Sequence, residues 1–285
     1  MSVKNASDSS TRQSITLHPI PLDLAWQNPQ ENWVRMKRAV LDRLGDTSLC
    51  DPSGKNFFVF PELTLTGFTT QSPESTALEP HASIHEEVRE FCRHHQIALA
   101  YGYPERHSAG KVRNILSVIS PEGREVAHYA KIHLFTAGQP PEAETYEAGE
   151  SGSILSLWGW TIGLGVCFDL RFPELFRAYA QQGCDLLILS ACWLGGPTKK
   201  IQFKALSQAQ AILTQSYFLG LNRSGSDPFA HYEGEALVYG PRGEVLLDAD
   251  QGMRSVQISD ELLTPARRLP ILASLKSSYP NRKQL

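Results

Sequence analysis

Residues 158–183 read WGWTIGLGVCFDLRFPELFRAYAQQG. The apolar run ending at Val166 predicts a strand, and it stops at Cys167. Pro173 suits the first position of a helix and Gly183 suits its C-cap, so PELFRAYAQQG predicts a helix. Strand, short polar turn and helix are the working unit of an α/β fold. The unit places a thiol at the mouth of a strand-to-helix turn, followed by Asp169 and Arg171. A cysteine closing an apolar run is most often a small core residue. It is also where a nucleophile stands, because chemistry in α/β sheets gathers where strands end.

The flanking segments extend the pattern. Upstream, ITLHPIPL (15–22), NFFVFPE (56–62) and IALAYGYPE (97–105) read as strands. QENWVRMKRAVLDRL (30–44) carries Trp33, Met36, Val40 and Leu44 at helical spacing, and HEEVREFCRHHQ (85–96) carries Val88, Phe91 and Cys92 on one face. NILSVISPEGREVAHYAKIHL (114–134) reads as a hairpin turning at SPEG, and SILSLWGWTIGLGVC (153–167) as one turning at Gly159. Downstream, CDLLILSACW and YFLGLNR read as strands around the helix KKIQFKALSQAQAILTQS, and EALVYGPRGEVLLDAD as a hairpin turning at GPRG. The end of the chain, from Asp260, reads as helical or irregular.

Strands alternating with helices, hairpins interleaved, predict a layered α/β fold with mixed sheets. No linker or low-complexity stretch divides the chain. Residues 15–285 therefore read as one domain behind a polar, disordered tail over 1–14. The longest internal stretch without an apolar pattern is GQPPEAETYEAGE (138–150), and long loops in compact domains are often functional.

Composition excludes several classes of function. The 285 residues carry 27 basic and 30 acidic side chains, a net charge of −3, which attracts neither nucleic acid nor an anionic membrane. No apolar run approaches the roughly 20 residues that span a bilayer. The N-terminus lacks the apolar segment of a secretion signal, so a cytoplasmic location is expected. Five cysteines (Cys50, Cys92, Cys167, Cys184, Cys192) make an odd number with no CxxC pair, which suggests neither a disulfide framework nor a zinc site. HExxH, GxxxxGK[ST] and a GxGxxG after a strand are all missing, so no metal or other cofactor is expected.

Three predicted strands end on a reactive side chain. FFVFPE delivers Glu62, VAHYAKIHL delivers Lys131 and TIGLGVC delivers Cys167. Alone, each has a bland reading as a loop acid, a surface lysine or a core cysteine. Together they cover the needs of amide hydrolysis. A thiol with an unperturbed pKa of about 8.5 holds little thiolate at neutral pH. A carboxylate takes its proton, and an ammonium stabilises the oxyanion of the tetrahedral intermediate. A helix starting near Pro173 is expected to add positive potential at the sulfur.

FPELTLTGF, YAKIHLF and GVCFDLRFPELFR resemble, in order, the three signature segments of the nitrilase superfamily of carbon–nitrogen hydrolases. The resemblance covers most of the chain. It implies a four-layer αββα sandwich with two mixed β-sheets that forms a homodimer or a higher homo-oligomer. It also implies a Glu-Lys-Cys triad at Glu62, Lys131 and Cys167, with the backbone N–H of Phe168 serving the oxyanion. A further family glutamate, seven residues before a glycine, falls on Glu142 ahead of Gly149, with Glu144 nearby, and would position the substrate amide or Lys131. Cys167-Phe168-Asp169-Leu170-Arg171-Phe172 is similar to the omega-amidase and Nit-like branch, whose members hydrolyse the terminal amide of small dicarboxylic or 2-oxo acid monoamides.

The expected partner is thus a small amide. Arg171 either pairs with Asp169 or another acid and holds the elbow, or meets a substrate carboxylate. Asn222 and Arg223 carry the same ambiguity, and Trp193 reads as a pocket wall or a core aromatic. Two departures from the family stand out: Ala191-Cys192-Trp193 where relatives often carry Ala-Asn-Trp, and the loss of a polar pair in QAILTQ (210–215). They leave two other readings open, a hydrolase of N-carbamoyl compounds and a non-catalytic dimeric scaffold.

Overall fold

A computed structural model describes residues 12–46, 54–107, 110–137, 140–248 and 254–274. The tail expected over 1–14 lies outside the described residues as far as Thr11, and so does Cys50. Arg12 is docked, pairing with Asp185 and Asp260.

Two six-stranded mixed sheets form the centre. The first contains β1 (Ile15–Pro19), β2 (Asn56–Val59), β3 (Ala98–Arg106), β4 (Val112–Ile119) and β5 (Glu125–Ala130), with β14 (Val256–Ile258) on the outer edge beside β1. β1, β2 and β3 run parallel and the other pairings are antiparallel. The second sheet repeats the plan with β6 (Ile154–Leu157), β7 (Trp160–Val166), β8 (Leu186–Ala191), β9 (Tyr217–Asn222), β12 (Ala236–Tyr239) and β13 (Val245–Leu247). Here β7, β8 and β9 are the parallel core. A short ribbon of β10 (Ser224–Ser226) and β11 (His231–Glu233) stands apart.

Strand alternation assembles the layers. In β2, Phe57 and Val59 face the opposite sheet while Phe58 turns outward, as a period of two requires. Inward residues of both sheets (Leu17, Val118, Ile162, Leu164, Leu219) share one core. On the outer face of the first sheet lie α1 (Pro29–Gly45) and α2 (Ser83–His95), with Trp33, Met36, Val40, Val88 and Cys92 buried against Phe58 and Leu99. On the second lie α4 (Pro173–Gln181) and α5 (Pro197–Thr214), burying Phe176, Tyr179, Phe203 and Ala211 against Leu187 and Phe218. The order is therefore α-β-β-α, as the resemblance implies.

Local chemistry sets the ends. Asn28 Oδ1 accepts from Glu31 N at 3.1 Å and Pro29 opens α1. Pro173 opens α4, and Gly183 takes φ +81° one residue past the cap, Gln182. Two elements escape the periodicity. The loop over 138–150 contains a one-turn helix, α3 (Glu142–Thr145), too short to show a pattern. The turn after β7 is a 3₁₀ segment, Cys167–Arg171, that precedes α4. The end of the chain holds α6 (Asp260–Ala266).

Candidate active site

Glu62 stands just past β2, and the backbone around it is built to turn there. Leu63 adopts φ +46°, unusual for a non-glycine residue. The neighbouring strand makes room, since a Cβ on Gly102 would lie 2.4 Å from Leu63 N. Glu62 is buried but fully partnered. Its Oε1 accepts from Asn114 Nδ2 at 2.7 Å and Lys131 Nζ at 3.0 Å, and its Oε2 from Cys192 N at 2.7 Å.

Lys131 follows β5, and the loop beyond it folds back to supply a second carboxylate. Its Nζ lies 2.9 and 3.1 Å from the two carboxylate oxygens of Glu142. Phe135 N donates to Glu142 Oε2 at 2.6 Å and Glu142 N to Phe135 O at 3.0 Å. Gly149 closes the loop by donating its N–H to Lys131 O at 2.8 Å, and any Cβ there would strike Ala130 O. Glu142 is buried beside Lys131, and Glu144 is exposed.

Cys167 follows β7 with φ +46°, a strained elbow that turns its side chain into the cavity. Asp169 holds the elbow. Its carboxylate accepts from Val166 N (2.8 Å), Tyr129 Oη (2.8 Å) and His133 N (3.0 Å), with His133 Nδ1 at 2.7 Å. The imidazole of His133 stacks on Phe172, ring centroids 3.8 Å apart.

The three strand ends meet at one cavity. About 50 Å3 is open to the centre of a water-sized sphere, room for a few waters or a small acyl group. Glu62, Lys131 and Cys167 line one part, joined by Cys192. Phe68, Phe135, Phe168, Trp193 and Leu194 form apolar walls, and Arg171 and Lys199 supply two more cations.

Electrostatics divides the site into a fixed cation and a resting thiol. Burial alone would discharge Lys131, but Glu142 and then Glu62 outweigh it and raise its pKa well above the usual lysine range. Burial raises the pKa of Glu142, against the pull of Lys131. Burial, reinforced by the Glu62 charge, pushes the Cys167 thiol well above its ordinary value, and Lys131 opposes this only in part. The expected thiolate-favouring field is therefore outweighed. α4 begins six residues beyond the sulfur, and desolvation dominates.

Of the flanking residues, Trp193 and Arg171 line the cavity. Arg171 does not pair with Asp169. Its Nη2 donates to Gln202 Oε1 at 2.7 Å and its guanidinium stacks on Trp193 at 4.8 Å. Asn222 and Arg223 are not among the residues that line the cavity. Asn222 donates to Trp193 O (2.8 Å) and Glu235 Oε2 (2.7 Å) and accepts from Trp193 N (2.6 Å), so its amide braces the strand end. Arg223 pairs with Asp227 at 3.2 Å and lies over Tyr232. No residue of the atypical 210–215 segment is in the cavity lining.

Sequence reasoning missed Asn114, Lys199, Phe68 and Phe135. Asn114 lies mid-strand, and a register of one residue decides that it faces Glu62. Lys199 sits in a Lys-Lys pair at a helix start, where a solvated role is the default.

The model of the carbon–nitrogen hydrolase family matches residues 21–267. A deaminated glutathione amidase of Synechocystis is 31% identical over 189 residues. That match covers 60% of this chain and 66% of the relative, so the chain spans just under two thirds of that relative's length. An omega-amidase of Mus musculus is 30% identical over 238 residues, 81% of this chain and 83% of that protein. Among solved structures, Saccharomyces cerevisiae Nit3, of branch 10 of the nitrilase superfamily, superposes with a TM-score of 0.81 at 19% identity. It covers 94% of this chain and 98% of its own, a likeness of fold.

Proposed function

The chain belongs to the carbon–nitrogen hydrolase family, and from that premise we propose that it is a thiol amidase for small omega-amides of dicarboxylic or 2-oxo acids. The carrying observation is a buried lysine held between two carboxylates, opening on a cavity that also holds a strained cysteine.

In this reading Glu62 takes the Cys167 proton as the sulfur attacks the amide carbon. The oxyanion is held by Lys131 and the Phe168 N–H. Glu62 returns the proton to the nitrogen, which leaves as ammonia and completes a thioester on Cys167. Glu62 then takes a proton from water, the water attacks the thioester carbon, and the acid departs as the thiol re-forms. Glu142 does not touch the reacting atoms; it keeps Lys131 charged and aimed. Asn114 and the Cys192 N–H fix the two oxygens of Glu62 in place.

The cavity also offers a substrate carboxylate two cations, Arg171 and Lys199, in its lining. The relatives named for omega-amide and deaminated glutathione hydrolysis support the same substrate class. Ammonia release from a panel of amides tests the reading. A charged, hydrogen-bonded carboxylate contact contributes about 1.5–3 kcal/mol, roughly a ten- to hundredfold preference in kcat/KM. Carboxylated amides should beat neutral amides of equal length by that margin. Equal turnover of neutral amides or N-carbamoyl acids would defeat the omega-amide assignment, and no turnover at all would leave a scaffold.

Two coarser expectations belong to the same proposal. A homodimer formed by helix packing is supported by exposed Ile201, Ile212 and Leu213 on α5. A cytoplasmic location rests on the sequence; among the described residues no helix is long and apolar enough to cross a membrane.

A further inference from the structure

Cys192 is the one nucleophilic side chain of the cavity wall that the proposed hydrolysis leaves unused, and it is a second thiol. Strand geometry brings it there. Ser190 and Cys192 are two residues apart, so both face the opposite sheet. Ser190 Oγ donates to Phe60 O at 2.8 Å, and Cys192 Sγ donates to Glu62 O at 3.2 Å. Cys167 reaches the same cavity from the adjacent parallel strand, where Val166 lies opposite Ser190. Beyond that register pair the chain turns at the Cys167 elbow, φ +46°. The two thiols line one cavity of about 50 Å3, and Cys192 is near enough to act electrostatically on Cys167.

We propose that Cys192 is the resolving thiol of an oxidation site. Peroxide oxidises Cys167, and Cys192 closes a Cys167–Cys192 disulfide that shuts the cavity reversibly. A peroxide is small and uncharged, so a cavity with room for a few waters admits it. The base that frees the sulfur for an amide frees it equally for a peroxide oxygen. Cys167 displaces one oxygen of the O–O bond as hydroxide and becomes a sulfenic acid. The hydroxide takes the proton held by Glu62 and leaves as water. The Cys192 sulfur then attacks the sulfenic sulfur, and its proton leaves with the departing hydroxide as a second water. Two thiols lose two electrons to one peroxide, giving one disulfide and two waters.

The other described cysteines do not compete. Cys92 is buried on α2 and Cys184 just beyond α4, and neither lines the cavity. The inference rests on the proposed function only in taking Cys167 as the reactive thiol. Its test reads mass, so it stands or falls apart from any amidase activity.

Fully reduced protein is treated with hydrogen peroxide, alkylated, digested and mapped by mass spectrometry, with and without later dithiothreitol. Wild type should lose two hydrogens, yield a linked peptide pair containing Cys167 and Cys192, and recover both thiols in dithiothreitol. Cys192→Ser keeps the shape but cannot resolve, so its Cys167 should proceed to sulfinic and sulfonic acids that dithiothreitol does not reverse. The proposal is overturned if wild-type Cys167 is over-oxidised while Cys192 still alkylates. It is equally overturned if the linked pair involves Cys92 or Cys184, or if Cys192→Ser recovers as fully as wild type.

Discussion

Lys131 and Arg223 are the two most deeply buried cations among the described residues, and they are built alike. Each follows the last residue of a strand. Each sits near two acids, Lys131 with Glu62 and Glu142, Arg223 with Asp227 at 3.2 Å and Asp23 at 3.9 Å. Each lies over an aromatic ring, Phe68 in one case and Tyr232 in the other. Yet Lys131 lines a cavity that holds a thiol, and Arg223 is not part of that lining. Asp227 also accepts from Phe229 N, Ala230 N and Tyr232 Oη, so the arginine network ties down the β10–β11 ribbon. A buried ion pair does not by itself mark a site. Open volume beside a nucleophile does.

The largest effect should fall where both roles coincide. Lys131→Ala removes an oxyanion donor, costing a factor on the order of 10² to 10³ in turnover. It also leaves two buried carboxylates uncompensated, a loss of about 3–5 kcal/mol in stability. Ammonia release and urea unfolding measure the two separately, and turnover within tenfold of wild type would erase the distinction from Arg223. Arg223→Met should lose a similar stability of about 3–5 kcal/mol. Under conditions where it stays folded, its preference for carboxylated over neutral amides should match wild type. A changed preference would put Arg223 back in the site.

Arg171→Met and Lys199→Met should do the reverse. Both side chains are only partly buried, so urea midpoints should move little. The carboxylate preference should fall by roughly ten- to hundredfold, the equivalent of about 1.5–3 kcal/mol, while neutral amides are still hydrolysed. An unaltered preference in both variants would move the carboxylate elsewhere.

The smallest effect comes from a third charged cluster, which has a titrating group but no cavity. Hydrogen bonds to Glu105 and then Glu125 raise the pKa of His128 from 6.5 to about 9, against burial. The folded value lies above the unfolded one. Its stabilisation is therefore complete below pH 6.5 and is lost as pH rises from there through about 9. His128→Gln should flatten the stability profile in that window without moving the amidase pH profile. A profile as steep as wild type would contradict the assignment.

Much of this architecture was legible in the chain, because apolar periodicity marks where strands stop and the three reactive residues stand at such stops. Glu62, Lys131 and Cys167 were found that way and do share a cavity. Arg223 was singled out by the family resemblance, and a strand-end cation looks identical in sequence whether it lines a cavity or ties down a ribbon. The spacing to Gly149 pointed to Glu142, with Glu144 nearby, but its burial beside Lys131 was hidden until the loop closed at Gly149. The high thiol pKa was also hidden, because desolvation depends on layers contributed by residues far apart in sequence. The altered 210–215 helix suggested a damaged pocket, but these residues lie outside its wall.

The central claim is that Cys167 carries the acyl group. A slowly hydrolysed omega-amide is mixed with the enzyme, quenched in acid within the first turnover, and the digest is searched for the acyl mass. The expected result is a thioester on the peptide containing Cys167, with free thiols at Cys92, Cys184 and Cys192, and no adduct in Cys167→Ala. An acyl group on Cys192, or ammonia released at the wild-type rate by Cys167→Ala, would contradict it.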